Sequence, residues 1–198
     1  MIALKCDVDD SEGVFLSKDG KEAWLQTFSG RRVSVLNPSP NQIAFEDICV
    51  AISKQCRFNG HATHFYSVSQ HCVIGAELAK ERFGEDIAKE FLLHDATEAY
   101  VGDLIRPVKC MIPQFKEIEQ RFWKAIAIKF DLPLIHSPEV KYLDNVMLAW
   151  EKRDFLPHSE VWPNLPNISG MKLPTMESWS WKKAQGRYYS KFMELFGG

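Results

Sequence analysis

The stretch FLLHDATEAYVGD, residues 91 to 103, constrains this chain more than any other. It sets His94, Asp95, Glu98 and Asp103 directly behind Phe91, Leu92 and Leu93. Buried ionisable groups cost several kcal/mol unless something compensates them. A fold that buries the apolar half must either expose the charges or give them a partner. Adjacent helical residues point about 100° apart, so His94 and Asp95 cannot both belong to one buried apolar stripe. A metal ion beside the helix, approached from one side by the imidazole and from the other by the carboxylate, resolves the conflict and turns desolvation cost into coordination energy.

The rest of the chain reads as mainly α. Residues 22 to 36, EAWLQTFSGRRVSVL, predict a small hairpin turning at Ser29-Gly30. Ser39-Pro40-Asn41-Gln42 is a capping box with proline at the first helical position, followed by an apolar stripe of Ile43, Ile48, Ile52 and Cys56. Ser67-Val68-Ser69-Gln70 repeats the box and starts a helix to about Phe83, with His71 in its first turn. A third helix is expected over 85–100, with Ile87, Phe91 and His94 on one face, and a loop broken by Pro107 over 102–113. Further helices are expected from Pro113 to about Phe130, from Ser137-Pro138 to about Phe155, and near 176–195 after a proline-rich stretch. The expected organisation is an extension and hairpin over 1–36 and a single helical core over 37–198.

Candidate ligands beyond His94 and Asp95 follow from this layout. His71 opens a capped helix in an apolar context. Asp144 has Val140, Leu143, Met147 and Leu148 around it at helical spacing, which puts a carboxylate on a buried face. Glu151-Lys152-Arg153-Asp154 reads as a solvated helix end. His61 and His64 flank a loop and read as substrate-side or solvated, and His136 and His158 lie in connecting segments.

Bulk properties narrow the partners. A net charge of −2 without any Lys/Arg block argues against nucleic acid and anionic membranes, so a small molecule is expected. Neither a signal-peptide run nor 18 consecutive apolar residues occurs, which points to a cytoplasmic protein. Five cysteines (Cys6, Cys49, Cys56, Cys72, Cys110) without a CxxC pair suit reduced, mostly buried thiols.

The order His, His-Asp, Asp from three helices resembles the HD-domain metal-dependent phosphohydrolases. The resemblance rests on Arg57-Phe58, YSVSQH (66–71), LLHDATEAYVGDLIRPVK (92–109) and Asp144 in VKYLDNVMLAWE. It runs over about residues 22 to 155. The sequence is similar to the bacterial 5'-deoxynucleotidases and, more closely, to phage and bacterial HD proteins that include dATP triphosphohydrolases.

The resemblance implies an HD-domain helical bundle in which His71, His94, Asp95 and Asp144 hold a divalent ion, whether Mn, Co, Zn, Mg or Fe. Glu98 matches the acid that orients or deprotonates the attacking water, which makes Glu98 and Asp95 the catalytic candidates. Arg57 and Lys109 match phosphate contacts, and Asp103 a residue near the sugar and the water. Phe58 falls where relatives pack an aromatic on the sugar, and Gly60 near a position that helps select the base. The implied activity is hydrolysis of a deoxynucleotide, with dATP or another purine dNTP first, dNMPs as the alternative, and a non-catalytic nucleotide-binding regulator as the reading from another class. The resemblance also implies a homo-oligomer such as a dimer, for which Trp162, Trp179 and Trp181 could supply contact surface.

Overall fold

The computed structural model describes residues 23–156, 158 and 160–197. The expected extension over 1–22, including Cys6, lies outside them. The described chain is mainly helical with one two-stranded antiparallel hairpin, as the sequence leads one to expect.

Strand β1 (Trp24–Gln26) pairs with β2 (Arg32–Ser34) in the register Leu25 opposite Val33. Such a hairpin is marginal alone, and here it is pinned to the helices. The Ser29 amide and hydroxyl both donate to the Asp47 carboxylate, at 2.7 and 2.9 Å, and Val33 enters the core.

The helices are α1 (Phe45–Lys54), α2 (Val68–Phe83), α3 (Glu85–Leu93), the single turns α4 (Glu98–Val101) and α5 (Arg106–Lys109), α6 (Pro113–Phe130), α7 (Pro138–Phe155) and α8 (Trp181–Phe196). Helix α2 is the central post, packed against α1, α3, α7 and α8. Its burial is nearly continuous from Val68 to Val73 and resumes at Gly75, Ala76, Leu78 and Ala79. No helix among the described residues is long and apolar enough to cross a membrane.

Helices α2 and α3 turn back on each other at Gly84, whose φ of +92° suits a residue without a side chain. Their contact is tight. A Cβ on Gly75 would lie 2.0 Å from Phe91 Cε1, so the Phe91 ring occupies the place of the missing methyl. Gly75 stands one turn after His71 and Phe91 one turn before His94, so this contact adjoins both imidazoles.

Four boundaries depart from the sequence expectation. The box at Ser39 is made, but it caps a 3₁₀ turn, Pro40–Gln42, and α1 begins only at Phe45. Ile43, Ile48 and Ile52 are buried as expected, whereas Cys56 lies beyond the helix and is exposed. The helix expected over 85–100 breaks at His94. There the backbone tightens into three-residue bonds, Ala96 N to Leu93 O and Glu98 N to Asp95 O, before α4 resumes. In the loop over 102–113, Pro107 falls in the first turn of α5, where a missing N–H costs nothing, so it helps to start a helix instead of breaking one. The last helix starts at Trp181, capped by Ser180, because residues 173–179 are held extended against α2 and α7.

The exposed state of Cys56 and Cys110 also corrects the expectation of mostly buried thiols; Cys49 and Cys72 are buried.

Candidate metal and substrate site

Three helices carry the site. Ser67 caps α2 by accepting from the Gln70 amide at 3.1 Å, which fixes the turn bearing His71. The Gln70 side chain does not close the box. It donates to the Glu177 carbonyl and accepts from the Trp179 amide, tying the segment before α8 to α2. Helix α7, which bears Asp144, is anchored to α3 through buried Glu90, whose Oε1 accepts from the Ser137 amide at 2.7 Å and lies 3.3 Å from His136 Nδ1. His136, to which the sequence gives no role, therefore lies in the joint between the helices of His94 and Asp144.

The four expected ligands come together. His71 Nε2 lies 3.4 Å from His94 Nε2, 3.5 Å from Asp95 Oδ2 and 3.6 Å from Asp144 Oδ1. His94 Nε2 lies 3.3 Å from Asp95 Oδ1 and 3.9 Å from Asp144 Oδ1. His71, His94 and Asp95 form a group that could hold a metal ion. Donors bound to one ion at about 2.0–2.2 Å stand roughly 3.0–3.6 Å apart, the range found here.

The proton positions sharpen the point. His94 Nδ1 lies 2.7 Å from the Phe91 carbonyl, which only accepts, so Nδ1 carries the proton. His71 Nδ1 lies 2.5 Å from Glu151 Oε1, a carboxylate that also faces Arg57. In the neutral rings both Nε2 lone pairs then face each other and two carboxylate oxygens, a cluster of acceptors without a donor. Burial pushes the His94 imidazole down, but Asp95 and a hydrogen bond to Asp144 overcome it and hold the ring protonated well above the usual imidazole range. Asp144 is also buried, yet His94, His71 and Arg57 hold it far below the usual carboxylate range. The cluster demands a cation, whether a proton or a metal.

The cluster forms one wall of a cavity of about 400 Å³. Glu98, Asp103, Arg57 and Lys109 line it as expected, together with Phe58, His61 and Trp162. Glu98 is buried, and its Oε2 has no hydrogen-bond partner among the described residues. Burial lifts its carboxyl well above the usual range, and the charges of Asp95 and Asp103 add to the effect. Burial and Asp95 raise Asp103 in the same sense. Arg57 is buried and divides its guanidinium between Asp95 at 3.3 Å and Glu151 at 3.1 Å. Lys109 is held by Glu119 at 2.7 Å. Phe58 sits at φ +57°, a conformation that strains a bulky residue, with the Arg57 guanidinium 5.4 Å from its ring centre. Gly60 does not line this cavity. It borders a neighbouring one of about 240 Å³ with His64 and Tyr66.

Two functional positions escape the sequence reading. Glu151, read there as part of a solvated helix end, is 0% exposed and meets His71, Arg57 and Tyr66. It follows Asp144 by two helical turns and precedes buried Phe155 by four residues, a periodicity that could have placed it inside. Asp154, from the same run, is also not free in solvent: it accepts from Arg153 and from the Met176 amide. Arg106 is the second position. From α5 it donates to Asp144 Oδ2 at 2.9 Å, the oxygen turned away from the histidines, and it lines the cavity.

A helical bundle that converges two imidazoles and two carboxylates on one cavity wall defines the class, a candidate metalloprotein. Comparison with known proteins places the chain within a family. It is 39% identical over 175 residues to the uncharacterized protein YfdR of Escherichia coli strain K12, a match covering 88% of this chain and 94% of that protein. It is 37% identical over 127 residues to an uncharacterized protein of Rhodobacter capsulatus, covering 61% of this chain and 65% of the other. The chain belongs to the family of YfdR. No family model matches it.

Proposed function

We propose that this protein is an HD-domain phosphohydrolase that holds a divalent ion on His71, His94, Asp95 and Asp144 and hydrolyses a deoxynucleotide, with a purine dNTP such as dATP as the first choice. The observation that carries the reading is the acceptor-only cluster: two Nε2 lone pairs and carboxylate oxygens 3.3 to 3.9 Å apart beside a cavity with cationic side chains. The donor set, two nitrogens and two hard oxygens, fits a first-row divalent ion and does not choose among Mn, Co, Zn, Mg and Fe.

A divalent ion held there supplies Lewis acidity toward a phosphoryl oxygen and a water that ionises near neutral pH. The protein's own residues do the rest. Arg57 is fixed by two carboxylates and presents its charge to the cavity for a phosphate oxygen. Arg106 and Lys109, one turn apart on α5, extend that positive edge, which supports a chain of phosphates over a single one. Glu98 offers a buried oxygen with no partner and a carboxyl raised toward working pH, properties suited to taking and returning a proton beside the scissile phosphorus. Phe58 and Trp162 give the far side an aromatic surface for the sugar and base.

The test is a panel of dNTPs and dNMPs incubated with metal-analysed protein and its His94→Ala variant, with products separated by chromatography. Release of triphosphate from one or more dNTPs, absent in the variant, is expected. Turnover of dNMPs with inert dNTPs would make the protein a 5'-deoxynucleotidase. Nucleotide binding without turnover under Mg, Mn, Co or Zn would make it a regulator, and absence of metal from the wild type would reject the reading.

A further inference from the structure

We propose that Glu151 is the positioning residue of this site: it fixes His71 with its Nε2 lone pair toward the cluster and ties Arg57 to the same carboxylate. The inference rests on the metal-site reading above.

Glu151 lies on the inner face of α7 with its side chain wholly covered. Both of its oxygens are engaged. Oε1 accepts from the Tyr66 hydroxyl at 2.9 Å and lies 2.5 Å from His71 Nδ1, while Oε2 accepts from Arg57 Nη2 at 3.1 Å. A carboxylate paired with a guanidinium can only accept, so the proton between it and His71 sits on Nδ1. A neutral imidazole carries one such proton, which leaves Nε2 as the donor atom toward His94, Asp95 and Asp144. A carboxylate behind a ligating histidine orients the ring and raises its basicity.

The other oxygen gives Glu151 a second task. Arg57 bridges it to Asp95, so one continuous path runs His71, Glu151, Arg57, Asp95 and back to His71. Side chains that face the metal and side chains that face the phosphate thus share one buried anchor. A carboxylate needed only to neutralise Arg57 would have no reason to spend its other oxygen on His71.

Glu151→Gln keeps the shape and removes the symmetry. If the amide oxygen stays on His71 and Tyr66, the NH₂ group faces Arg57. If the amide turns, NH₂ faces Nδ1, and the imidazole proton must move to Nε2, where it blocks the cluster. Tyr66→Phe removes a donor from the same oxygen and leaves the His71 bond intact, which makes it the control.

The experiment measures Mn²⁺ affinity of the full chain calorimetrically for wild type, Glu151→Gln and Tyr66→Phe, with thermal melts to verify folding. Long-range ¹⁵N–¹H spectra of the metal-free wild type at about pH 8 assign the His71 tautomer. We expect a proton on His71 Nδ1 with Nε2 bare, a loss of Mn²⁺ affinity in Glu151→Gln of about 10- to 100-fold, and Tyr66→Phe binding as the wild type does. Equal affinity in a folded Glu151→Gln overturns the inference and leaves the metal-site reading standing. A wild-type His71 carrying its proton on Nε2, or on both nitrogens, overturns it as well, and that measurement needs no variant. A wild type that binds no Mn²⁺ overturns both.

Discussion

Two charge networks in this molecule have similar parts and opposite surroundings. In the interior, Arg57 joins Asp95 and Glu151 beside His71, with Glu151 wholly buried. On the surface, Lys80 and Lys191 both reach Glu194, at 2.8 and 2.7 Å, and those contacts are the shorter ones. Length is therefore no guide to worth. Exposed pairs contribute about 0–1 kcal/mol because water and salt screen them, whereas removing one member of a buried pair strands a charge that water cannot reach. The interior network is expensive to keep and more expensive to break, which is the signature of residues held for what they do.

The contrast breaks if Arg57 proves dispensable. Arg57→Ala should cost about 3–5 kcal/mol in urea unfolding of the metal-free protein, since it leaves Asp95 and Glu151 without their cation; a loss near that of a surface pair would erase the distinction. The next effect is metal addition. Mn²⁺ at about 100 times its dissociation constant should stabilise the wild type by about 2.7 kcal/mol, read as a raised melting temperature that a chelator reverses and that His94→Ala lacks.

Alkaline titration gives a similar effect from the core beside the network. Burial pushes the Cys72 and Cys49 thiols from 9.0 to about 11. A folded pKa above the unfolded one gives a contribution that is complete below pH 9.0 and is lost as pH rises to about 11, on the order of 2 kcal/mol for Cys72. Denaturant midpoints across that window should fall, and less so in Cys72→Ala. At about pH 8, Cys56 and Cys110 should alkylate in the native protein, and Cys49 and Cys72 only once unfolded.

The smallest effect belongs to the surface. Hydrogen bonds from Lys191 and Lys80 lower the Glu194 carboxyl from 4.5 to about 2. Its contribution is present above pH 4.5 and lost as pH falls toward 2. It should be slight and vanish at about 1 M salt, where the Debye length is about 3 Å. Persistence of the acid-side slope at that salt would mean the exposed pair is not screened as its position requires.

What the sequence makes legible follows the same division. Helices α2, α6 and α7 start where Ser67, Pro113 and Ser137-Pro138 say they should, because caps and prolines act within one turn. The four converging side chains were also legible, since each interrupts an apolar periodicity. The break at His94 was not. It comes with the imidazole bonding back to the Phe91 carbonyl, and no propensity scale contains that bond. Glu151 hid among charged neighbours, where a run of Glu, Lys, Arg and Asp masks one position that faces inward. Arg106 hid because its partner, Asp144, is 38 residues away in the chain.

The gap where Gly75 meets Phe91 has a consequence for the chemistry on the next turn. If alanine stood there, the added methyl would wedge α2 from α3, and the two imidazoles carried on those rods would part with them. The bite of the ligand pair is thus set from behind, by an atom that is not there, and the size of ion this protein can grip is written partly at a residue that never touches it.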